Sequence, residues 1–464
     1  MKWHAAWDDP FTPFLSQFDH LVGDARTRTT LTETLRGIIA AGSLVCQRIA
    51  ACSPILATAQ DGAQRISRLA RGESTKRSPN LDAEHLTQHL RSHAIEQLTS
   101  VPADELWLIA DGSELRKPHA RAMPHLMRVK DLTGSLVNGS RTLNVLGLTP
   151  KRRGVLTHRL FSSKAPGFVS EPHEVQVALP TVSSAIAPLK ERMTATWILD
   201  TGFDDVAVWR TIWEQHEHVV CRLKHTERLV RYQDKKGHWH SGDITKARQE
   251  VRYLGRVETM LVVQRGRQKR PKEQRVAVEL WACRVRLRYD TNVRRVGQGE
   301  EVEKELWLVE VRLPDTGLEP WLLLTDWEVE SKASAARVFT MYRQRWAVED
   351  SFKFIKECLG WEEVQLMELE AVRMLVALGW VAAGFLYELG VTLEWAEVWV
   401  LARRGGWVPH KGRKPGKQTL TRGLRRLMEM LTTEAFLMAY LKEHGSFPPK
   451  IAGFLKGWQP PQQL

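Results

Sequence analysis

At 464 residues the chain is long enough for two to four domains, and a large core is within its reach. Apolar and charged fractions of 43% and 26% exclude a wholly disordered or fibrous chain. A formal net charge of +13 points to a polyanionic partner, either nucleic acid or an anionic membrane surface.

Residues 1–100 read as helical. Leu31, Leu35, Ile38 and Ile39 recur at helical spacing, and Arg65, Arg68 and Arg71 lie on a short basic amphipathic segment. Ser78 to Asn80 reads as a break before another helix. The opening residues hold no apolar h-region, so no secretory signal is expected. From Leu106 the texture changes. Leu106 to Ala110 reads as a buried strand running into a turn at Asp111, Gly112 and Ser113. Arg141 to Leu148 and Val155 to Phe161 read as further strands, with a basic turn at Lys151 to Gly154. Thr196 to Leu199 is another buried strand, ending at Asp200, and Val219 to Arg222 one more. Helices are expected near 181–193 and 204–216.

Residues 225–320 turn strand-rich. Val276 to Arg288 and Leu306 to Leu313 alternate apolar and polar residues, with loops at Gln264–Lys272 and Gly297–Glu300. Helix returns from Lys332 to about Leu401. Its longest apolar run, Met374 to Tyr387, is fourteen residues, short of the roughly twenty a membrane span needs, so a buried core helix is expected. Between Leu401 and Met428 stand nine Lys/Arg and no Asp/Glu, a basic loop leading into a final helix. Strands and helices mixed in this way indicate an α/β (α+β mixed) architecture. Five scattered cysteines (Cys46, Cys52, Cys221, Cys283 and Cys358) form no C-x-x-C pair, which fits a reducing cytosol and argues against a cysteine zinc site.

The most informative stretch is Tyr342 to Lys356. Tyr342, Arg345, Glu349 and Lys356 stand at relative positions 0, 3, 7 and 14, which fall on one stripe of a continuous helix, and Lys353 joins them. Met341, Val348, Phe352, Ile355 and Leu359 share a neighbouring stripe that can pack on a core. The first stripe presents a lone carboxylate ringed by cations and a phenol. Asp111 and Asp200 each follow an apolar strand, and ligands bind at strand ends in open α/β sheets. Three carboxylates from two strand ends and a helix can hold two hard divalent cations beside a phosphate. Ser113 has no nucleophile-elbow context, so serine chemistry is not expected.

The spacing of Tyr342, Arg345, Glu349 and Lys356 resembles the Y-R-E-K motif of bacterial insertion-sequence transposases, which are DDE enzymes of the cut-and-paste type. The segments at Asp111–Lys117 and Asp200–Asp204 are similar to those around that family's first and second catalytic aspartates. The resemblance covers about residues 100–400. It implies a ribonuclease H-like catalytic core interrupted by a β-rich insertion, with helical N- and C-terminal regions. The corresponding divisions are a helical DNA-binding domain over 1–100, core over 101–224, insertion over 225–320, core with the Glu helix over 321–400, and a basic helical region, with possible dimerisation, over 401–464. It further implies Asp111, Asp200 and Glu349 as a metal-binding catalytic triad for two Mg²⁺ ions, with Mn²⁺ able to substitute. Tyr342, Arg345, Lys353 and Lys356 resemble residues that grip phosphates, and Arg222 an additional DNA-contacting arginine. Trp321 resembles a tryptophan on which a flipped base stacks, and Trp346 one that helps a hairpin form. The implied partners are double-stranded DNA, as transposon ends and target, and a second copy of the chain on DNA, with no membrane. The implied location is cytoplasmic, at the bacterial nucleoid. The alternative is a transposase-derived DNA-binding protein without cleavage activity.

Overall fold

The computed structural model describes residues 11–53, 59–73, 78, 80–263, 272–290, 301–314, 316–409, 414–455 and 458. The chain divides into two units. One comprises Met1–His93, Glu114–Arg141 and Ser351–Leu464; the other comprises Ala94–Ser113 and Thr142–Asp350. The expected loops at 264–271 and 297–300 lie outside the described residues, as do Pro79 in the expected break and 410–413 in the expected basic loop.

The first unit is mainly helical. It holds α1 (Phe11–Ser16), α2 (Ala25–Ala41), α3 (Cys46–Ala51), α4 (Ala59–Ala70) and most of α5 (Ala83–Thr99). Asp24 caps α2 by accepting from the Thr27 amide, and Gly42 ends it in the left-handed region at φ 61. The helix buries Leu31, Leu35, Ile38 and Ile39, the residues whose spacing announced it. On the basic segment, Arg71 pairs with Glu368 at 3.2 Å and Arg68 with Glu73 at 3.7 Å.

One helix of this unit, Leu369–Thr392, is long and apolar enough to cross a membrane, longer than the fourteen-residue run suggested. Its most apolar window is 83% buried, and it packs against α2 and α4. It therefore acts as a core helix. Two further helices, Trp395–Arg404 and Lys417–His444, pack on one another. Arg425 of the latter donates Nε to the Ile39 carbonyl at 2.7 Å, fastening it to α2.

The second unit is built on a mixed sheet. Its strands are most of β1 (Glu105–Arg116), the second half of β3 (Leu136–Leu148), β4 (Arg153–Phe161), β5 (Thr194–Leu199), β6 (His218–Arg222), β7 (Leu229–Gln233), β8 (Trp239–Asp243), β9 (Arg252–Val263), β10 (Lys272–Asp290), β11 (Glu301–Arg312) and β12 (Trp321–Thr325). The remaining strand, β2 (Met127–Lys130), belongs to the first unit. The order is β3-β1-β5-β6-β12-β11-β10-β7-β8, with β4 on β3 and β9 on β10.

The centre of this sheet is parallel, with Ala110 opposite Leu199 and Leu199 opposite Cys221. Leu106, Leu108, Ala110, Trp197 and Leu199 on one face, and Ile109 and Ile198 on the other, are fully buried, as parallel strands covered on both faces require. The crossover between β1 and β5 runs through α6 (Glu171–Ala185) and α7 (Ala187–Lys190). That between β5 and β6 runs through α8 (Val206–Trp213), and α9 (Ile244–Gln249) follows β8. The strand-rich part is antiparallel. Along β10 and β11, Arg286 faces Glu305 and Arg288 faces Glu303, each at 3.3 Å, and Arg284 reaches Glu305 at 3.7 Å.

One local expectation is corrected. Asp111, Gly112 and Ser113 do not form a turn; β1 runs on through them to Arg116. Pairing with β3 overrides their turn preference, and Thr142 donates its hydroxyl to the Ser113 carbonyl at 3.1 Å.

His158, on β4, is buried and its Nδ1 lies 2.6 Å from Asn144 Oδ1. Burial pushes its pKa down to about 3, below its ordinary value near 6.5. The unfolded chain therefore binds a proton that the fold refuses between those limits. Stability should fall as pH drops below about 6.5, by up to roughly 1.4 kcal/mol per pH unit from this group, and level off near 3. Urea unfolding of the wild type and of His158→Gln across that range checks this, with the variant expected to show the flatter profile.

Candidate active site

The register of two parallel strands makes the site. Ala110 and Leu199 are partners, so the residues that follow them, Asp111 within β1 and Asp200 just past the end of β5, stand side by side on neighbouring strands. Each carboxylate is anchored by the next amide in the chain. Gly112 donates to Asp111 Oδ1 at 2.8 Å and Thr201 to Asp200 Oδ1 at 2.7 Å. Asp204, four residues on, is buried. It accepts from the amides of Lys224 and His225 at 2.6 and 2.7 Å and pairs with Arg228 at 2.7 Å. These bonds tie the turn after β5 to the segment after β6.

The third carboxylate comes from a helix, but not from the single helix expected. Helix α10 (Lys332–Arg343) stops, and α11 (Trp346–Leu359) begins after a tightened turn. In it, the amides of Gln344 and Arg345 bond to the carbonyls of Met341 and Tyr342, and those of Ala347 and Val348 to Gln344 and Arg345. These i→i−3 bonds wind the chain at three residues per turn and displace Arg345 from a regular helical stripe. Glu349 lies in the first turn of α11, where the helix dipole favours a negative charge. The apolar stripe holds, with Met341, Val348, Phe352, Ile355 and Leu359 all buried.

The carboxylates converge on Arg345. One terminal nitrogen lies 3.7 Å from Asp111 and 3.5 Å from Asp200, and the other 2.6 Å from Glu349. The guanidinium is buried and its Nε has no hydrogen-bond partner among the described residues. Burial raises the Asp111 pKa to about 7; Arg345 and the Gly112 amide oppose the rise, and Asp200 and Glu349 add to it. Tyr342 donates to Asp200 at 3.4 Å, and burial, with the Asp200 charge, pushes its phenol well above its ordinary range.

No group of three acidic, histidine or cysteine side chains among the described residues is set to hold one ion in this arrangement. The donors are nevertheless all hard carboxylate oxygens. A positive charge already sits where they meet, so the residue set fits a divalent cation of the Mg²⁺ type.

Trp321, at the start of β12, is 6% exposed. It packs in an aromatic cluster with Phe339, Tyr342 and Trp346, and the Arg222 guanidinium lies 6.0 Å from its ring. Trp346 is 38% exposed and presents the open edge of that cluster. Lys353 and Lys356 belong to the other unit. There Lys353 is exposed, 4.0 Å from Glu357, and Lys356 pairs with Glu362 at 3.3 Å. Of the basic turns, Arg153 pairs with Asp350 at 3.2 Å.

Sequence reasoning missed two features. The strand register that sets Asp111 beside Asp200 is a long-range pairing with no local signal. The structural duty of Asp204 was visible only as a second acid in the same motif.

Residues 108–383 match the family described as Transposase DDE domain. No curated protein matches the sequence. Among solved structures, the chain is similar to the piggyBac transposase in its synaptic complex with hairpin DNA. The identity is 10% and the TM-score 0.41, over 80% of this chain and 60% of that one. The match thus spans less than two thirds of that protein's length.

Proposed function

Since the chain belongs to the Transposase DDE domain family, which more than half of its length matches, we propose that it is a cut-and-paste transposase of the bacterial insertion-sequence, Y-R-E-K type. Its substrates would be transposon ends and target DNA, handled by a ribonuclease H-like core. The observation that carries this reading is the convergence of Asp111, Asp200 and Glu349 on one point from two neighbouring parallel strands and a helix start.

Asp111, Asp200 and Glu349 would hold the divalent cations that DDE transposases generally use, here Mg²⁺ with Mn²⁺ as substitute. When bound, such ions polarise the scissile phosphate and neutralise charge on the attacking and leaving oxygens. The chain's own side chains then orient the DNA. Tyr342 keeps its proton, because burial and Asp200 disfavour the phenolate, and so remains a hydrogen-bond donor to phosphate. Arg222, Arg345, Lys353 and Lys356 supply cations along the backbone, which releases counterions. Trp346 offers an aromatic face to a displaced base, and Trp321 supports it from beneath. The reaction is a series of in-line displacements. Water frees a 3′-hydroxyl, which attacks the opposite strand to close a hairpin. A second water reopens it, and the 3′-hydroxyl then joins target DNA. No covalent protein–DNA bond forms.

A homodimer on DNA, joined through the C-terminal helices, completes the reading, and exposed Trp395, Phe436 and Phe454 supply apolar surface there. The location would be the bacterial nucleoid. The test incubates the protein and Mg²⁺ with DNA ending in the inverted repeats that flank its own coding sequence. Nicking and hairpin products are expected. Retarded DNA without nicking would favour a non-cleaving descendant.

A further inference from the structure

We infer that Arg345 is a built-in counter-ion that occupies the cation position of the carboxylate cluster and leaves it when divalent metal loads. The inference rests on the proposed role of Asp111, Asp200 and Glu349. Three observations point to it. One guanidinium serves all three carboxylates, on two different terminal nitrogens. Its approaches to Asp111 and Asp200, at 3.7 and 3.5 Å, are too long for good hydrogen bonds, so the attraction there is Coulombic and displaceable. Its Nε is buried with no hydrogen-bond partner among the described residues, so this resting place leaves a donor unsatisfied.

A structural ion pair in a fixed core would use its donors. The forked guanidinium suits paired hydrogen bonds to a carboxylate or phosphate, and it is under-used on both aspartates. Without it, three carboxylates would face one another with no neutralising charge, which strongly disfavours their joint ionisation. With it, the cluster stays assembled but closed to cations. Metal and guanidinium therefore compete for the same oxygens. Arg345 lies in the tightened turn between α10 and α11 and has a long side chain, so it can withdraw without moving either strand. Once displaced, it is free for an anionic group. Metal binding and phosphate binding then favour each other, as linkage requires.

The test measures Mn²⁺ uptake by the full-length, metal-free protein at pH 8, from loss of the free-ion electron paramagnetic resonance signal. Thermal midpoints are recorded with and without the ion. Arg345→Gln is expected to bind Mn²⁺ about tenfold tighter than the wild type, because its competitor is gone. Its metal-free midpoint should fall, and its rise on adding Mn²⁺ should exceed the wild-type rise. Arg345→Lys keeps the charge but loses the fork, and should lie between them. An Mn²⁺ affinity in Arg345→Gln equal to or weaker than wild type overturns the inference, whatever happens to the midpoint. Should that variant not fold, unchanged affinity in Arg345→Lys overturns it instead. The double variant Asp111→Asn/Asp200→Asn separates the premises. If it still takes up Mn²⁺ like the wild type, the site assignment fails. If uptake is lost there but unaltered in the Arg345 variants, only the counter-ion inference fails.

Discussion

Asp111→Asn, Asp200→Asn and Glu349→Gln, made singly, are expected to cleave DNA at least about a thousandfold more slowly than the wild type while keeping most of their DNA affinity. Each removes one anionic oxygen donor and preserves side-chain volume. Cation binding weakens, but the basic surfaces that meet the DNA backbone are untouched. Asp111→Asn carries a second signature. The native pKa of Asp111, about 7, lies above the ordinary aspartate value, so the folded state holds a proton that the unfolded chain releases. The sign is then fixed: the charged carboxylate opposes folding increasingly as pH rises from about 4 through 7. Metal-free Asp111→Asn should therefore unfold at a temperature no lower than the wild type at pH 8, despite its loss of cleavage. A strand-cleavage assay, a mobility-shift titration and thermal unfolding at pH 8 read the three effects. Cleavage that survives any one substitution removes that residue from the triad.

Asp204→Ala should act through stability. Its carboxylate is buried, accepts from two backbone amides and forms an ion pair with the Arg228 guanidinium, which itself lies over the Trp209 ring at 4.4 Å. Truncation leaves two amides without their acceptor and the half-buried Arg228 without its counter-charge, bonded among the described residues only to the Asp204 carbonyl, an effect of about 3 kcal/mol. Asp204→Asn retains one acceptor oxygen and should lose less. Because Asp204 ties down the turn that carries Asp200, the Ala variant should also lose cleavage below its unfolding temperature. Denaturant unfolding with parallel cleavage assays checks this. Wild-type stability in Asp204→Ala would show the tether to be dispensable.

Much of this was legible in the sequence. The apolar runs at Leu106–Ala110 and Thr196–Leu199 announce strands covered on both faces, and both are in place as parallel neighbours. The alternation at Val276–Arg288 and Leu306–Leu313 likewise marks the antiparallel pair β10 and β11. What escaped is what local pattern does not encode. Turn chemistry at Asp111–Ser113 yields to pairing with β3, a contact made some thirty residues along the chain. Helical periodicity from Tyr342 to Lys356 cannot register a tightened turn at Gln344–Arg345, because one turn of i→i−3 winding shifts the phase by only part of a residue. The convergence of three acids on Arg345 depends on both, so the spacing of Tyr342, Arg345, Glu349 and Lys356 suggested phosphate contacts and did not reveal the ion pairs.

The ladder of Arg284, Arg286 and Arg288 against Glu303, Glu305 and Glu330 bears on what the formal charge of +13 can do. A cation matched by an adjacent carboxylate neutralises no phosphate and adds little far-reaching field, so it displaces few counterions from a polyanion. That ribbon is electrically quiet. The ionic-strength sensitivity of any polyanion complex should thus reflect only unmatched arginines and lysines, a population that the sequence-wide total does not describe.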